Sequence, residues 1–190
     1  MLADEIVTQR LHHQQLVAPA FANPAAVVGW LGAVQSQDYA GAKWALGQRT
    51  QGNVTDAALD QAFNSGAILR THVLRPTWHF VTPADIRWML ALTAPRVNAK
   101  LATYYRNLEL DDAIFARSNE ALTVALQGGQ QLTRPQLTSV LAQAGIVTGD
   151  LLRITHLLIR AELDGIICSG GRQGKQFTYA LLDERAPHAK

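Results

Sequence analysis

Ile68-Leu69-Arg70-Thr71-His72-Val73-Leu74-Arg75-Pro76-Thr77-Trp78-His79-Phe80-Val81 interrupts a first half that otherwise reads as helix. β-branched and aromatic residues alternate here with period two, and Arg75-Pro76 places a proline at the second position of a turn. The segment therefore predicts two strands, Ile68–Leu74 and Thr77–Val81, closed as a hairpin. Alternation sends Trp78 and Phe80 to one face and Thr77 and His79 to the other. Upstream, residues 4–16 carry Ile6, Val7, Leu11 and Leu16 at roughly helical spacing. Asn23-Pro24 supplies an N-cap and a first-turn proline for a helix through Val27, Val28, Trp30, Leu31 and Val34 towards Gln35. A short piece follows near 41–48. Thr55-Asp56 opens another helix, through Leu59 and Phe63, that Asn64-Ser65-Gly66 ends.

Downstream the order returns. Helices are expected at 83–93, 95–107 and 111–127, with Gly128-Gly129 as a break. Thr133-Arg134-Pro135 caps the next helix, which stops at Ala144-Gly145. A Leu-rich helix spans 149–163 and ends at Asp164-Gly165. Ile166–Cys168 then reads as a strand, Ser169–Gly174 as a Gly-rich loop and Phe177–Leu182 as a return strand. Helix, turn, helix, hairpin is the order of a winged helix. The sequence thus predicts a mainly α fold with short β-hairpins, built as tandem winged helix-turn-helix units. The units are expected at 1–82 and 83–185, with a tail at 186–190. The repeat is one of element order, without sequence identity between copies.

Composition sets the class. In 190 residues, 48% are hydrophobic and 17% charged, which supports a folded core rather than a disordered chain. The formal net charge is +2. Residues 1–95 carry six Lys/Arg against six Asp/Glu, and residues 96–190 eleven against nine. Any surface for a polyanion must therefore be local. Cys168 is the single cysteine, which excludes an internal disulfide and fits a reducing compartment. The N-terminus lacks the pattern of a signal peptide, and no run of about 18 apolar residues is present. The expected setting is cytoplasmic, nucleoid-associated if the chain binds DNA.

Several residues carry chemistry. Gln35-Ser36-Gln37-Asp38-Tyr39 places two amides one residue apart, each with a donor and an acceptor. On a helix they would point apart. They read either as two exposed amides at a helix end or, on an extended backbone, as a pair converging on one water or one base edge. In the second half, Arg153 and Arg160 lie on the would-be recognition helix, and Arg172 and Lys175 on the would-be wing. The wing glycines allow close approach to a phosphate. Asp38 reads as a turn cap or a partner of Lys43. Cys168, in an apolar strand, reads as buried packing, and Trp30, Trp44 and Trp88 as core. His72 reads as structural. His12-His13 lacks a third ligand at a recognisable spacing, so no metal is expected.

The run Gln35-Ser36-Gln37-Asp38-Tyr39 after Trp30-Leu31, then Lys43-Trp44-Ala45-Leu46, then Leu74 to Val81, resembles the N-terminal part of the AlkZ/YcaQ-type DNA glycosylases, winged-helix DNA-binding-domain proteins. The resemblance runs from about residue 5 to 185. It implies tandem winged helices that cradle double-stranded DNA. It also implies monofunctional hydrolysis of the N-glycosidic bond of alkylated (N7/N3) or crosslinked purines, without cofactor or metal. Gln35 and Gln37 would be the catalytic pair. With the first hairpin turned to DNA, Arg75 would contact phosphate and His79 would reach the lesion, with Thr77 beside them as a further DNA-binding residue. Members of this family normally continue through a further winged helix and a β-rich domain, so a chain ending at Lys190 is expected to be a fragment or a short member. Pro76 stands where many relatives have Gly, which would stiffen the turn. The alternative is a non-catalytic winged-helix DNA-binding protein or transcriptional regulator.

Overall fold

The computed structural model describes residues 3–149 and 151–189. Its first helix is α1 (Ala3–His13). α2 (Pro24–Leu31) starts where the sequence places it, with the Asn23 side chain accepting from the Ala26 N–H at 2.9 Å. It ends earlier than expected. Gly32 takes φ +76°, a left-handed conformation that suits glycine and stops the helix four residues short of Gln35. The chain then extends as β1 (Val34–Gln35). α3 (Tyr39–Gly47) is capped by the Asp38 side chain, which accepts from Gly41 N–H at 3.1 Å. α4 (Asp56–Asn64) is capped by Thr55. β2 (Leu69–His72) and β3 (Trp78–Val81) form the expected hairpin.

A 22-residue helix, α5 (Ile86–Asn107), replaces the two helices expected at 83–93 and 95–107. Pro95 lies inside it. Proline removes one helical hydrogen bond, but Leu90, Ala94, Val97 and Leu101 are buried on both sides of it. Burial of that continuous face outweighs the local break. α6 (Asp112–Leu126), β4 (Leu132–Thr133), α7 (Arg134–Gln143), α8 (Leu151–Leu163), β5 (Ile167–Gln173), β6 (Gln176–Leu181) and α9 (Leu182–Arg185) follow. A capping box between Thr133 and Gln136 starts α7.

The element order helix–strand–helix–helix–hairpin occurs twice, as α2-β1-α3-α4-β2-β3 and α6-β4-α7-α8-β5-β6. Each set makes a three-stranded antiparallel sheet, ordered β1-β3-β2 and β4-β6-β5. The short strands β1 and β4 are additions to the order read from sequence. The first sheet is a wall between two cores. Leu69 and Val81 enter a large cluster with α5 to α8, including Val97, Leu122, Leu141 and Leu157. Phe80, on the opposite face, enters a smaller cluster with Val27, Val28, Leu46, Leu59 and Phe63.

The tryptophans depart from expectation. Trp30, Trp44 and Trp88 are 59%, 71% and 49% exposed rather than core. In α2 the buried face is Val27-Val28, and in α3 it is Ala42 and Leu46. The Trp30 and Trp44 rings therefore fall on the far side of these short helices, and Trp88, on the long α5, donates its Nε1–H to Asp85 at 2.9 Å. Cys168 is fully buried in β5, as expected.

Candidate active site

The site is organised by strand alternation. β1 pairs with β3 with Gln35 opposite His79, and β2 pairs with β3 with Thr71 opposite His79. Gln35, His79 and Thr71 therefore stand side by side across one sheet face. The next amide N–H, of Ser36, donates to Trp78 O at 2.8 Å, so the extended path continues past Gln35. Period two then sends Gln37 to the same side as Gln35 and Ser36 to the other. Burial follows this alternation: Gln35 and Gln37 are exposed, and Ser36 is fully buried. The backbone at the pair is extended rather than helical, and both amides are exposed.

The two amides are not equivalent. Gln37 Oε1 accepts from the Trp78 backbone N–H at 3.3 Å. That contact commits its carbonyl to the hairpin and leaves its NH2 as the outward donor. The Gln35 amide has no such contact among the described residues.

Beneath the pair lies Arg70, 5% exposed. Its Nη2 donates to Ser36 O at 2.9 Å, and its Nε lies 3.3 Å from both Ser36 O and Oγ. The guanidinium is stacked between the Trp78 ring, 4.2 Å away, and the Phe177 ring of β6, 4.5 Å away. A desolvated cation–π contact contributes up to about 2 kcal/mol. Arg70 N–H also donates to Ser169 Oγ of β5 at 2.8 Å. Burial pulls the Arg70 pKa down to about 10, against the pull of Glu162, Tyr179 and Tyr39. Sequence reasoning missed Arg70. The available signal was its place between Leu69 and Thr71 in a strand, two residues from His72 on one face.

His79 is buried, with Nδ1 2.8 Å from Thr77 O. A carbonyl only accepts, so Nδ1 carries the proton. Burial, with Arg75 and His72 nearby, lowers the His79 pKa and keeps the ring neutral at pH 7. Thr71 Oγ1 and Thr77 Oγ1 are buried without a partner. Arg75 is exposed at the hairpin tip. His72, as expected, is structural: it is buried, and Nδ1 bonds to Glu162 Oε2 of α8. Asp38 caps α3, and Lys43 pairs instead with Asp56 and with Asp60 at 2.9 Å.

The other cations named from sequence lie elsewhere. α8 is largely buried, with Ile154, Leu157, Leu158 and Ala161 in the core. Arg153 donates to the backbone carbonyls of Val147 and Leu108. Arg160 pairs with Asp164 at 2.8 Å and covers the Phe115 ring at 4.7 Å. Arg172 turns towards the first sheet's helices. It lies 3.8 Å from Asp60 and over the Tyr39 ring at 5.1 Å. Lys175, in the turn between β5 and β6, is exposed. Among the described residues no three His, Cys, Asp or Glu side chains gather to hold a metal ion. No described helix is long and apolar enough to cross a membrane.

Comparison with known proteins places the fold and the family. Among solved structures, Streptomyces sahachiroi DNA glycosylase AlkZ is similar, with a TM-score of 0.78 and 20% identity over 94% of this chain. The chain spans about half of that protein, 49% of its length. No curated protein sequence matches. A sequence model of the family described as DNA glycosylase AlkZ-like matches residues 28–190, a span that holds the Gln pair, both hairpins and Arg70. The chain belongs to the AlkZ-like DNA glycosylase family.

Proposed function

We propose that this protein binds double-stranded DNA through two winged-helix units. In this reading it hydrolyses the N-glycosidic bond of alkylated (N7/N3) or crosslinked purines as a monofunctional glycosylase. The units correspond to residues 1–82 and 83–185. The observation that carries the reading is the shared, exposed face of Gln35 and Gln37 above a buried, clamped Ser36.

The chemistry suits two amides. An N7-alkylated purine is cationic and leaves readily. Water adds through oxygen to C1′ as the C1′–N bond breaks, the bonding pair neutralises the purine, and the water's proton passes to solvent. The Gln37 NH2 donates to the water oxygen, and the Gln35 carbonyl accepts one of its protons. Together they hold it in line with C1′. The Gln35 dipole also opposes positive charge developing on the sugar. Neither amide titrates, so the site favours lesions that are already labile. Thr77 and neutral His79 border the same face. Arg75 and Lys175 are the exposed cations placed to meet phosphate. Arg153, Arg160 and Arg172 reach DNA only by releasing their internal partners.

Purified protein incubated with duplex containing N7-methylguanine tests this. Base release is expected from the parent and is expected to fall by two orders of magnitude or more in Gln35→Ala/Gln37→Ala. Equal release from both overturns the assignment. Salt-sensitive binding without release would leave the non-catalytic DNA-binding reading.

A further inference from the structure

A second feature lies on the other side of the Ser36 clamp. Arg70, Trp78, Arg134, Lys175, Phe177 and Tyr179 line a cavity of about 330 Å³ between the two hairpins and the start of α7. With Pro135 and Gln176 these make eight lining residues, of which three are cationic and none is acidic. Among the described residues no carboxylate lies within ion-pair distance of Arg70, Arg134 or Lys175. The Arg134 guanidinium donates only to neutral oxygens, Thr155 Oγ1 at 3.1 Å and Tyr179 OH at 3.4 Å. Glu162, which interacts with Arg70 and Arg134, is fully buried and bonded to His72.

Arg70, Arg134 and Lys175 repel one another around the cavity, and Glu162, which interacts with Arg70 and Arg134 from its buried position, is a single acid against three cations. An anion relieves that repulsion. Arginine donors in a fork match the oxygens of a phosphate, and lysine adds a point charge. The cavity also touches the proposed active site at two points. Trp78 lines it and holds Gln37 through its backbone N–H, and Arg70 lines it and holds Ser36.

We propose that this cavity is a phosphate subsite, occupied by a phosphodiester of the DNA strand that passes over the edge strand β1. It takes the proposed DNA-glycosylase reading only for the choice of polyanion. The subsite would tie strand position to the Gln pair, because its walls are the residues that fix Ser36 and Gln37.

The test is binding of undamaged duplex as a function of salt, for the parent, Arg134→Ala, Lys175→Ala and Arg96→Ala. Arg96 is exposed on α5, away from the cavity. Arg134→Ala and Lys175→Ala are each expected to reduce the slope of log affinity against log salt by about one. Affinity should weaken by about tenfold near 0.1 M salt. Arg96→Ala should match the parent. Parental slopes in Arg134→Ala and Lys175→Ala overturn the proposal, as does an equal reduction in all three variants. A saturable site for inorganic phosphate that is lost in Arg134→Ala, with parental DNA slopes, would assign the cavity to a free anion and also overturn it. Lys175 is exposed, so its substitution does not threaten the fold. No base release is measured here, so failure of this subsite and failure of the glycosylase reading are separate results.

Discussion

Arg70 holds Ser36 from both ends of the residue, with Nη2 2.9 Å from the Ser36 carbonyl oxygen and Nε 3.3 Å from its hydroxyl. Ser36 is the residue between the two glutamines, so the guanidinium fixes the strand that presents them. Phe177 stacks on it and Ser169 holds its backbone, which makes the second sheet part of the clamp.

Arg70→Lys is therefore expected to slow base release by more than it weakens DNA affinity, because charge is kept and the fork that holds Ser36 is lost. Misplacement of the pair by about 1 Å costs on the order of 100-fold. Ser36→Ala removes only the hydroxyl contact and should cost under about 1 kcal/mol of stability. Single-turnover release against affinity separates the two readouts. A matched fall in both for Arg70→Lys would show that the clamp does not position the pair.

The hairpin Leu69–Val81 was legible because its alternation is strict, and the caps at Asn23, Thr55 and Thr133 were legible because capping is local chemistry. What escaped the sequence was set by contacts distant along the chain. Pro95 reads as a helix break, but Ala94, Val97 and Leu101 are buried together in one core and keep α5 continuous. The end of α2 needed Gly32 weighed above the apolar run to Val34. Strand β1 exists because β3, more than 40 residues later, pairs with it. Arg70 was invisible as a clamp because its partners Ser36, Phe177 and Ser169 are brought to it only by the fold. The glutamine pair was singled out through family resemblance; spacing alone left two alternatives, and the extended path of β1 bears on the backbone only.

Arg172→Ala is expected to affect stability rather than DNA binding. Its guanidinium joins the second hairpin to the first sheet's helices through Asp60, 3.8 Å away, and the Tyr39 and Phe177 rings. A partly exposed set of this kind contributes about 1 kcal/mol. The urea midpoint should fall accordingly, and the salt slope of DNA binding should equal the parent's. A slope reduced by about one would instead place Arg172 on a phosphate.

Asp60 links acid stability to the same region. Burial pushes its pKa up, but hydrogen bonds from Lys43 and Tyr39, with the charges of Lys43 and Arg172, outweigh that and hold it low. A depressed folded pKa contributes stability that is present above the usual carboxylate range and is lost as pH falls through the folded value. Asp60→Asn should flatten the acid limb of a stability curve below pH 4. An unchanged acid limb would mean that other carboxylates control it.

Glu162 acts with the opposite sign. Full burial raises its pKa above the usual 4.5, while His72, Arg70 and Arg134 pull the other way without cancelling the effect. Between pH 4.5 and the raised folded value, the folded state keeps a proton that the unfolded state has released. Stability from this group is present below pH 4.5 and declines as pH rises through the folded value. One carboxylate oxygen bonds to His72 and the other, Oε1, has no partner, which is the uncompensated half of the penalty. Glu162→Gln keeps the shape and an acceptor for His72 but cannot ionise. Its stability should therefore fall less than the parent's as pH rises above 4.5, so that the two urea-midpoint curves converge or cross. Parallel curves over that range would show that Glu162 does not change charge there.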